Sequence, residues 1–420
     1  MNIVVDLHSH SPYAGATGKT DFNKLRYVME TKGIDLYGSG DILLEKWENE
    51  LDGFFPFDDK KGMWEMESLS GCEAAGVSPF DPVKNISGRN CFLMPQTEVI
   101  VTLPYLHNPL KRKLFHMVIL FRGRSRIADA RAMFESAGSK LGIGRPFVKF
   151  ESSVQMTDFF IRLKKKCNCL LIPAHIMTPD GILGGKNPVN SIEEVFGEES
   201  SLIDALESGL SADPDMIKKI AGYLDVPVIS SSDAHSAAFN RLGREFTELS
   251  VDEVSSDGIA DAVMKGAIVK TAEFPPFEGR YYLTGHRGDR PGHNGEEIFF
   301  KDNPPDICPI CGKPLTKGVK ERVDSIYTAS RERKQDFVYQ IPIVEVIAEC
   351  LKCGSGTKKV IDIYLEIIRQ AGRESSIWLE KGDLAFKNIP DEVTAGINRI
   401  RGGDYSVEYG FDGKYGRIVL

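Results

Sequence analysis

The stretch VVDLHSHSPY, residues 4–13, places two histidines directly after the first apolar run of the chain. The run ends at Asp6, and His8 and His10 follow with one residue between them. The whole chain of 420 residues has only eight histidines, so this placement is unusual. Because neutral imidazole is a common metal ligand, the pair predicts a metal site at the end of the first strand.

Short apolar runs continue to alternate with amphipathic segments up to about residue 275. The runs include NIVVDL, IDLYGSG, CFLMPQTE, HMVILF, CLLIPAH and VPVISSSDAH, and helical stretches such as VQMTDFFIRLKKK lie between them. Repeated alternation of this kind predicts an α/β domain with parallel strands, and the number of units favours a β/α (TIM-like) barrel.

Changes in composition predict three parts. Residues 1–275 form the α/β barrel, with an irregular insertion at about 52–90, residues 276–338 form a Gly- and Pro-rich module with a cysteine pair, and residues 339–420 are mostly helical. The net charge of −8 arises in residues 1–300, which suits a site that gathers cations. It does not exclude nucleic acid, because a local basic patch can supply phosphate contacts.

No apolar run is long enough to span a membrane, and the amino terminus lacks the pattern of a signal peptide. We therefore expect a cytoplasmic monomer with no membrane partner. In a reducing compartment, the two Cys-x-x-Cys pairs among its eight cysteines indicate metal binding rather than disulfides.

Residues with metal-ligating side chains recur at, or close to, the predicted strands. Because the carboxyl ends of all strands of a β/α barrel converge on one face, these side chains would become neighbours. The set comprises His8, His10, Asp41, Glu98, His116, His175, Asp233 and His235. Eight donors exceed the needs of one tetrahedral ion, so two or three ions are predicted, with Glu98 as a candidate bridge. Such paired ions activate a water and hold a phosphoryl group, which indicates phosphoester hydrolysis.

The motifs DLHSHS, GSGD, QTE, FHMVIL, PAH and SDAH, in this order and spacing, resemble those of the PHP (polymerase and histidinol phosphatase) superfamily. The resemblance implies a distorted seven-stranded barrel with two or three divalent ions (Zn, Mg or Mn) held by the eight residues above. It also implies that His8, His10, Glu98 and Asp233 are catalytic. One departure is that SPYAGATGK carries no further histidine after the first pair, as superfamily members often do.

Longer segments are similar to the endonuclease Q family within this superfamily. They include IPAHIMTPDGILGGKN, ALESGLSADPDM, GHRGDRPGH and CPICGKPLTKGV. This resemblance implies a DNA repair endonuclease that cuts 5′ to deaminated bases (uracil, hypoxanthine, xanthine) or abasic sites. Damaged DNA would be the partner, and other repair proteins are further candidates.

The pair Cys308 and Cys311 in CPICG forms a knuckle that is typical of half a zinc site. The other two ligands are either His286 and His293 or the later pair Cys350 and Cys353. We favour the histidines, because Cys350 stands near the end of a predicted helix and suits a buried apolar position. The resemblance also places the GHR segment in a zinc module.

The segment IAECLKCGSGTKKVIDIYLEII predicts two helices joined by a Gly-rich turn. Gly354 and Gly356 would let backbone amides face a phosphate, and Lys358 and Lys359 add positive charge. The segment therefore resembles a DNA-binding helix-hairpin-helix, although a plain helical turn has the same composition. Arg241 and Arg244 are further candidate DNA contacts.

Two alternatives remain at this point. One is a PHP-type phosphatase that acts on small phosphate monoesters, which would not need residues 276–420. The other is a DNA-binding scaffold with a vestigial metal site.

Overall fold

The computed structural model describes residues 1–15, 21–67, 90–185, 187–220, 222–223, 225–326 and 334–420. The chain has a mixed α/β fold, so the predicted α/β class is confirmed. No helix in these ranges is long and apolar enough to cross a membrane.

Strands and helices alternate through the first two thirds of the chain. The strands are β1 (Asn2–Asp6), β2 (Leu36–Gly38), β3 (Phe57–Asp58), β4 (Met63–Met66), β5 (Cys91–Met94), β6 (Gln96–Tyr105), β7 (Asn108–Phe121), β8 (Phe147–Lys149), β9 (Cys169–Pro173), β10 (Leu206–Glu207), β11 (Val228–Ile229), β12 (Phe246–Ser250) and β13 (Ile268–Glu273). The helices are α1 (Phe22–Lys32), α2 (Glu45–Phe54), α3 (Ile127–Ser136), α4 (Ser153–Cys167), α5 (Glu193–Phe196), α6 (Pro214–Lys218) and α7 (Ser256–Met264).

Local sequence explains where the longer helices begin and end. Helix α1 follows Asp21, whose side chain accepts a hydrogen bond from the backbone N–H of Lys24, and it ends at Gly33 with φ of 75°. Helix α4 follows Ser152, whose side chain caps the N–H of Gln155. Both starts are standard N-caps, and the positive φ at Gly33 is a conformation that glycine adopts without strain.

The first strand lies at the centre of an eight-stranded sheet. Strand β1 pairs with β2 in parallel and with β12 in antiparallel orientation. The order of the sheet is β16-β13-β12-β1-β2-β5-β4-β3, where β16 (Phe337–Tyr339) comes from late in the chain. A second sheet has the order β8-β6-β7-β9, and β10 pairs with β11 in parallel.

The expectation of an α/β domain with parallel strands holds for some strand pairs and is wrong for others. Strands β6 and β7 form an antiparallel hairpin, and β9 is antiparallel to β7. Only two residues separate β6 from β7. A parallel pair needs a crossover of about a dozen residues or more, so this connection permits only the antiparallel arrangement.

Backbone contacts link the separate sheets around the first strand. Strand β5 leads through Pro95 into β6, and the N–H of Asp204 before β10 donates to Leu171 O in β9. Beyond the end of β1, Ser9 forms a parallel bridge to Ala234, which follows β11. These links bring the carboxyl ends of β1, β9 and β11 to one region.

The predicted irregular insertion at 52–90 is only partly described. Within residues 52–67, strands β3 and β4 form a hairpin, and β4 pairs with β5 in the main sheet. Trp64 of β4 is fully buried. This part of the segment is therefore regular and belongs to the core, while residues 68–89 lie outside the described ranges.

The last third of the chain holds further strands and helices. The strands are β14 (Thr284–His286), β15 (Ile298–Phe300), β16, β17 (Ser406–Glu408) and β18 (Arg417–Val419). The helices are α8 (Val319–Ser325), α9 (Ile343–Cys350), α10 (Lys358–Ala371), α11 (Glu374–Leu379) and α12 (Asp391–Gly402). Strand β16 crosses the predicted boundary at 338/339 and pairs in parallel with β13 of the first part.

Candidate metal centres

Strand ends and one hairpin bring six predicted donors into two compact groups. The ligand atoms within each group lie within 4.8 Å of one another. The first group is His8, His10 and Asp233, and the second is Glu98, His116 and His175. Each group supplies the imidazole and carboxylate donors that zinc, manganese or iron prefer.

Register explains why Glu98 and His116 meet. In the β6–β7 hairpin, His116 lies opposite Ile100, which is two residues from Glu98. Side chains two residues apart on a strand share a face, so Glu98 and His116 are diagonal neighbours. Glu98 Oε1 is 2.7 Å from His116 Nδ1 and 3.3 Å from His175 Nε2.

Glu98 also faces the first group. Its Oε1 is 3.5 Å from His8 Nε2, and its Oε2 is 3.4 Å from His10 Nε2. Asp233 Oδ1 lies 3.0 Å from His10 Nε2 and 3.6 Å from His8 Nε2. One buried carboxylate therefore stands between the two groups, which is the position of a bridging ligand.

Several of these atoms are buried without a hydrogen bond. Within the described part of the chain, this holds for His8 Nε2, His10 Nε2, Glu98 Oε2 and Asp233 Oδ1. Burying a polar atom without a partner is unfavourable, and natural structures usually avoid it. Four such atoms directed at one another fit divalent cations between them.

The opposite nitrogens of the imidazoles are held by the protein. His8 Nδ1 lies 3.0 and 3.1 Å from the carboxylate oxygens of Glu207, and His175 Nδ1 lies 2.6 Å from Thr178 Oγ1. Such contacts fix the tautomer and direct Nε2 towards the centre of the site. Glu207 was not assigned as a ligand from sequence, and the structure places it behind His8. No pattern in the sequence pointed to a role for Thr178.

Asp41 and His235 lie outside the two groups. For Asp41, whose role as a ligand stays a prediction, Oδ1 is 3.2 Å from His10 Nδ1, and Oδ2 accepts hydrogen bonds from the N–H and Oγ of Ser11 at 2.7 and 2.6 Å. It therefore orients His10. The ring of His235 lies 4.3 Å from the His10 ring, with its side chain 38% exposed at the mouth of the site.

The backbone is strained at three of these positions. Asp41, His175 and Asp233 have φ values of 41°, 30° and 48°. Residues other than glycine rarely adopt a positive φ, and such strain concentrates at functional sites. Each of the three follows a strand, so the strained turn directs the side chain back across the strand ends.

Charges within the site shift the pKa values of its members. Burial opposes protonation of His8, but the carboxylates of Glu207, Asp233 and Glu98 outweigh it and raise the pKa of His8 to about 9. In the same way, burial lowers the pKa of His10 while Asp233 and Asp41 raise it, to a net value of about 10. Burial raises the pKa of Glu98, but the neighbouring histidines hold it well below its usual value.

A second, separate donor group lies in the Gly- and Pro-rich part. It consists of His286, His293, Cys308 and Cys311, with ligand atoms within 4.8 Å of one another. His286 Nδ1 is 3.2 Å from His293 Nε2, and the two sulfurs lie 3.4 and 3.5 Å from these nitrogens. These separations match the edges of a tetrahedral zinc site with two sulfur and two nitrogen ligands.

The later cysteines are not part of this group. A Cβ added at Gly396 of α12 would lie 2.7 Å from Cys350 Sγ, so this cysteine packs closely against that helix. Cys353 follows the end of α9 and contacts Thr357. The geometry therefore supports the histidine alternative.

The predicted DNA-binding turn joins α9 to α10. The side chain of Thr357 caps α10, and the turn before it contains Gly354 and Gly356. A Cβ at Gly356 would meet no atom within 4 Å, and one at Gly354 would meet only Thr357 Cγ2 at 3.7 Å. The side chain of Lys358 is 86% exposed, although it pairs with Asp362. The turn is therefore accessible to a large ligand.

The two candidate arginines differ in exposure. Arg241 is exposed, whereas Arg244 is partly buried and its Nε donates to Ser232 O at 3.0 Å, next to Asp233. Arg145 was not predicted, yet its Nη1 lies 3.5 Å from Glu98 Oε2. An arginine in the loop LGIGRPF has no spacing that would identify it from sequence.

No protein-family model matches the chain. Uncharacterized protein YqxK of Bacillus subtilis is 32% identical over 278 residues, which is 64% of this chain and 66% of that protein. Uncharacterized protein MJ0043 of Methanocaldococcus jannaschii is 30% identical over 236 residues, which is 54% of this chain and 30% of that protein. The chain therefore spans just under two thirds of the first relative and under a third of the second.

Two solved structures match along the whole chain. The crystal structure of the lesion-specific endonuclease PfuEndoQ from Pyrococcus furiosus has a TM-score of 0.80 and 27% identity, and the match covers 100% of this chain and 96% of that chain. A crystal structure of endonuclease Q in complex with a 27-mer duplex substrate with an abasic lesion at the active site has a TM-score of 0.79 and 27% identity, with 100% and 97% covered.

The fold and its donor groups thus define an α/β protein with clustered metal-type ligands where several of its strands end. Over its whole length this protein is endonuclease Q-like, and the resemblance inferred from its sequence is confirmed.

Proposed function

We propose that the chain is a metal-dependent, lesion-specific DNA endonuclease. It hydrolyses the phosphodiester bond on the 5′ side of a deaminated base (uracil, hypoxanthine or xanthine) or an abasic site. The observation that carries this proposal is the cluster of unpartnered donor atoms around Glu98, in a chain that matches endonuclease Q along its whole length.

The donors divide between two ions. His8, His10 and Asp233 would hold one ion and His116 and His175 the other, and Glu98, which faces both groups, would be available to each. Zinc, magnesium or manganese bound there would supply a Lewis acid that activates water and neutralises phosphate charge. His235, at the mouth of the site, is the candidate donor for a third ion.

Protein groups around these ligands fix their geometry before substrate arrives. Glu207 and Asp41 hold His8 and His10 through their Nδ1 atoms, and Thr178 holds His175 in the same way. Because the donors are already oriented, little reorganisation accompanies the reaction, which is how a preorganised polar site lowers a barrier.

The strands that surround the site support a barrel. We assign β1, β2, the continuous β5–β6, β7, β9, β10 and β11 to the distorted seven-stranded barrel within residues 1–275. We assign residues 276–338 to a module in which His286, His293, Cys308 and Cys311 would hold a structural zinc. Residues 339–420 form the helical DNA-binding part.

The helical part grips the DNA backbone. The α9–α10 turn offers Gly354 and Gly356 at an open surface, and Lys358 and Lys359 begin α10. Backbone amides at a helix start bind phosphate without reading sequence. An enzyme that recognises lesions in any sequence context needs a contact of this kind. Arg241 and Arg244 are candidate contacts nearer the metal site.

The test is a nicking assay with end-labelled duplexes. Each duplex contains one uracil, hypoxanthine, xanthine or abasic site, or no lesion, and Mg²⁺, Mn²⁺ or Zn²⁺ is added. We expect a single cut 5′ to the lesion, no cut in undamaged DNA, and loss of cutting in Asp233→Asn. The matched control Asp289→Asn removes an exposed carboxylate and should cut normally.

Other results would contradict the proposal in distinct ways. Release of phosphate from small monoesters without any nicking would favour the phosphatase alternative. Binding of lesion DNA that is neither followed by cutting nor altered by Asp233→Asn would favour the scaffold alternative.

A further inference from the structure

The loop 139–146 carries a cation to the edge of the metal site. Arg145 Nη1 lies 3.5 Å from Glu98 Oε2, and Glu98 is the carboxylate that faces both donor groups. The side chain of Arg145 is 30% exposed, whereas that of Glu98 is fully buried. The guanidinium is therefore between the buried donors and solvent.

Backbone contacts on both sides hold this loop in place. The N–H of Gly144 donates to Tyr13 O at 3.0 Å, and Pro146 O accepts from the N–H of Ile100 at 2.9 Å. A Cβ at Gly144 would lie 2.6 Å from the backbone nitrogen of Ala14 and 2.8 Å from Asp41 Oδ2. Only glycine fits so close to Asp41, so the loop is fixed against the site.

Among the residues that the structure describes, most of the hydrogen-bonding capacity of Arg145 is unused. In the described ranges, its other contact is between Nη2 and Ala14 O at 3.5 Å, the limit for a hydrogen bond. A guanidinium has five N–H donors arranged to hold two oxygens of one phosphate. If Glu98 held a cation, its negative charge would be compensated by that cation, and Arg145 would be free to pair with an anion bound at the site.

We propose that Arg145 binds the phosphate that undergoes cleavage and is a catalytic residue of the site. It donates to the non-bridging oxygens and stabilises the negative charge that grows on them during attack. This inference rests on the proposed function, because that function places a phosphodiester on the donor groups.

The experiment compares Arg145→Ala and Arg145→Lys with the unaltered protein on the abasic duplex. Removing one donor to a developing charge lowers kcat by about 100–1,000-fold, and we expect a loss in this range for Arg145→Ala. Arg145→Lys keeps the positive charge but not the planar guanidinium that can donate to two oxygens at once, so we expect partial activity. Arg162→Ala, which removes an exposed arginine on α4, is the control and should cut normally.

Four further measurements separate phosphate binding from a structural role. Added guanidinium should restore cutting by Arg145→Ala at least about tenfold, which a folding defect would not allow. Metal content and melting temperature should match the unaltered protein. Affinity for the abasic duplex, measured by fluorescence anisotropy in the Asp233→Asn background, should fall when Arg145 is also replaced.

Arg145→Ala activity within about threefold of the unaltered protein would overturn the inference. A loss that guanidinium does not restore would also overturn it. If the unaltered protein cuts no lesion DNA, the proposed function fails instead. The same variants are then compared on bis(p-nitrophenyl) phosphate, on which Arg145→Ala must still be impaired for the inference to stand.

Discussion

A buried ion pair joins the first helix to the helical part, and breaking it should destabilise the protein strongly. Lys32 Nζ of α1 lies 2.6 Å from Glu374 Oε1 of α11, and both side chains are 1% exposed. Glu374 also accepts hydrogen bonds from the N–H of Ile343 at 3.1 Å and from the hydroxyl of Tyr364 at 2.7 Å. Glu374→Gln would leave the ammonium of Lys32 buried without a counter-charge.

The expected magnitude follows from this burial. Removing one partner of a buried pair destabilises by about 3–5 kcal/mol. With an unfolding entropy of about 2 cal/mol/K per residue, a chain of this length unfolding as one unit would lose about 3–6 °C in melting temperature. If the helical part unfolds separately, the same loss of free energy lowers the melting temperature of its own transition by much more, because fewer residues contribute to the unfolding entropy of that transition.

Differential scanning calorimetry at pH 7.5 measures both outcomes. The control is Asp362→Asn, which breaks an exposed pair with Lys358 and should change stability by under about 1 kcal/mol. In the double variant Lys32→Met/Glu374→Gln no unpaired charge remains, so we expect most of the loss to be recovered. A shift below 1 °C for Glu374→Gln, or a double variant no better than the single one, would refute this reasoning.

Three more predictions concern buried titratable groups and metals. Cys308→Ser should lose about one equivalent of zinc by mass spectrometry and melt at a lower temperature, while its control Cys350→Ser keeps its metal. Burial raises the pKa of Glu273 to about 8, so the folded protein holds a proton that the unfolded chain releases above its ordinary pKa of 4.5. Stability should therefore fall as pH rises from about 4.5 to 8, and Glu273→Gln should flatten that fall in calorimetry, whereas an unchanged slope would contradict the assignment. Carboxylates raise the pKa of His8 and His10 to about 9 and 10 against the effect of burial, so the metal-free rings are protonated at pH 7.5. Metal titration by calorimetry in buffers of different ionisation enthalpy should then show release of about two protons, and buffer-independent heats would contradict this.

The sequence predicted the composition of the site because the rule that links the two is simple. Side chains that follow parallel strands meet at one edge of the sheet, and histidine and aspartate at that edge indicate metal binding. His8, His10, His175 and Asp233 come together for this reason. Glu98 and His116 come together for a different reason. They lie on the two strands of an antiparallel hairpin, whereas the alternation pattern had predicted parallel strands.

The roles of neighbouring groups could not be predicted in the same way. Asp41 and Glu207 both follow or lie on strands near the site, and nothing in their spacing tells which oxygen faces a metal and which faces an imidazole. Only the folded structure shows that Asp41 contacts Nδ1 of His10 and Glu207 contacts Nδ1 of His8. The sequence gives even less indication that Arg145 lies at the site, because the position of Arg145 depends on how one loop packs against another.

The candidate zinc ligands show how tertiary structure favours one of two alternatives that spacing leaves open. Two later pairs, one of histidines and one of cysteines, were compatible with Cys308 and Cys311. Strands β14 and β15 form a hairpin, and His286 ends the first of them while His293 lies in the connection. That hairpin turns both rings towards the cysteine knuckle, whereas Cys350 is held on a helix that packs elsewhere.

Composition also suggested boundaries between parts of the chain, and strand pairing crosses these boundaries. The composition changes near residue 275, yet β16 lies beside β13 and extends the main sheet. Helix α11 then places Glu374 against α1, and Ser375 Oγ donates to Gly33 O. A change in composition reflects only the local sequence. The extension of the sheet depends on residues from different parts of the chain, and the contacts of α11 with α1 join residues more than 300 positions apart. The helical part is therefore anchored to the elements that carry the candidate metal ligands, so a phosphate bound at the proposed DNA-binding turn would lie at a fixed place relative to the site.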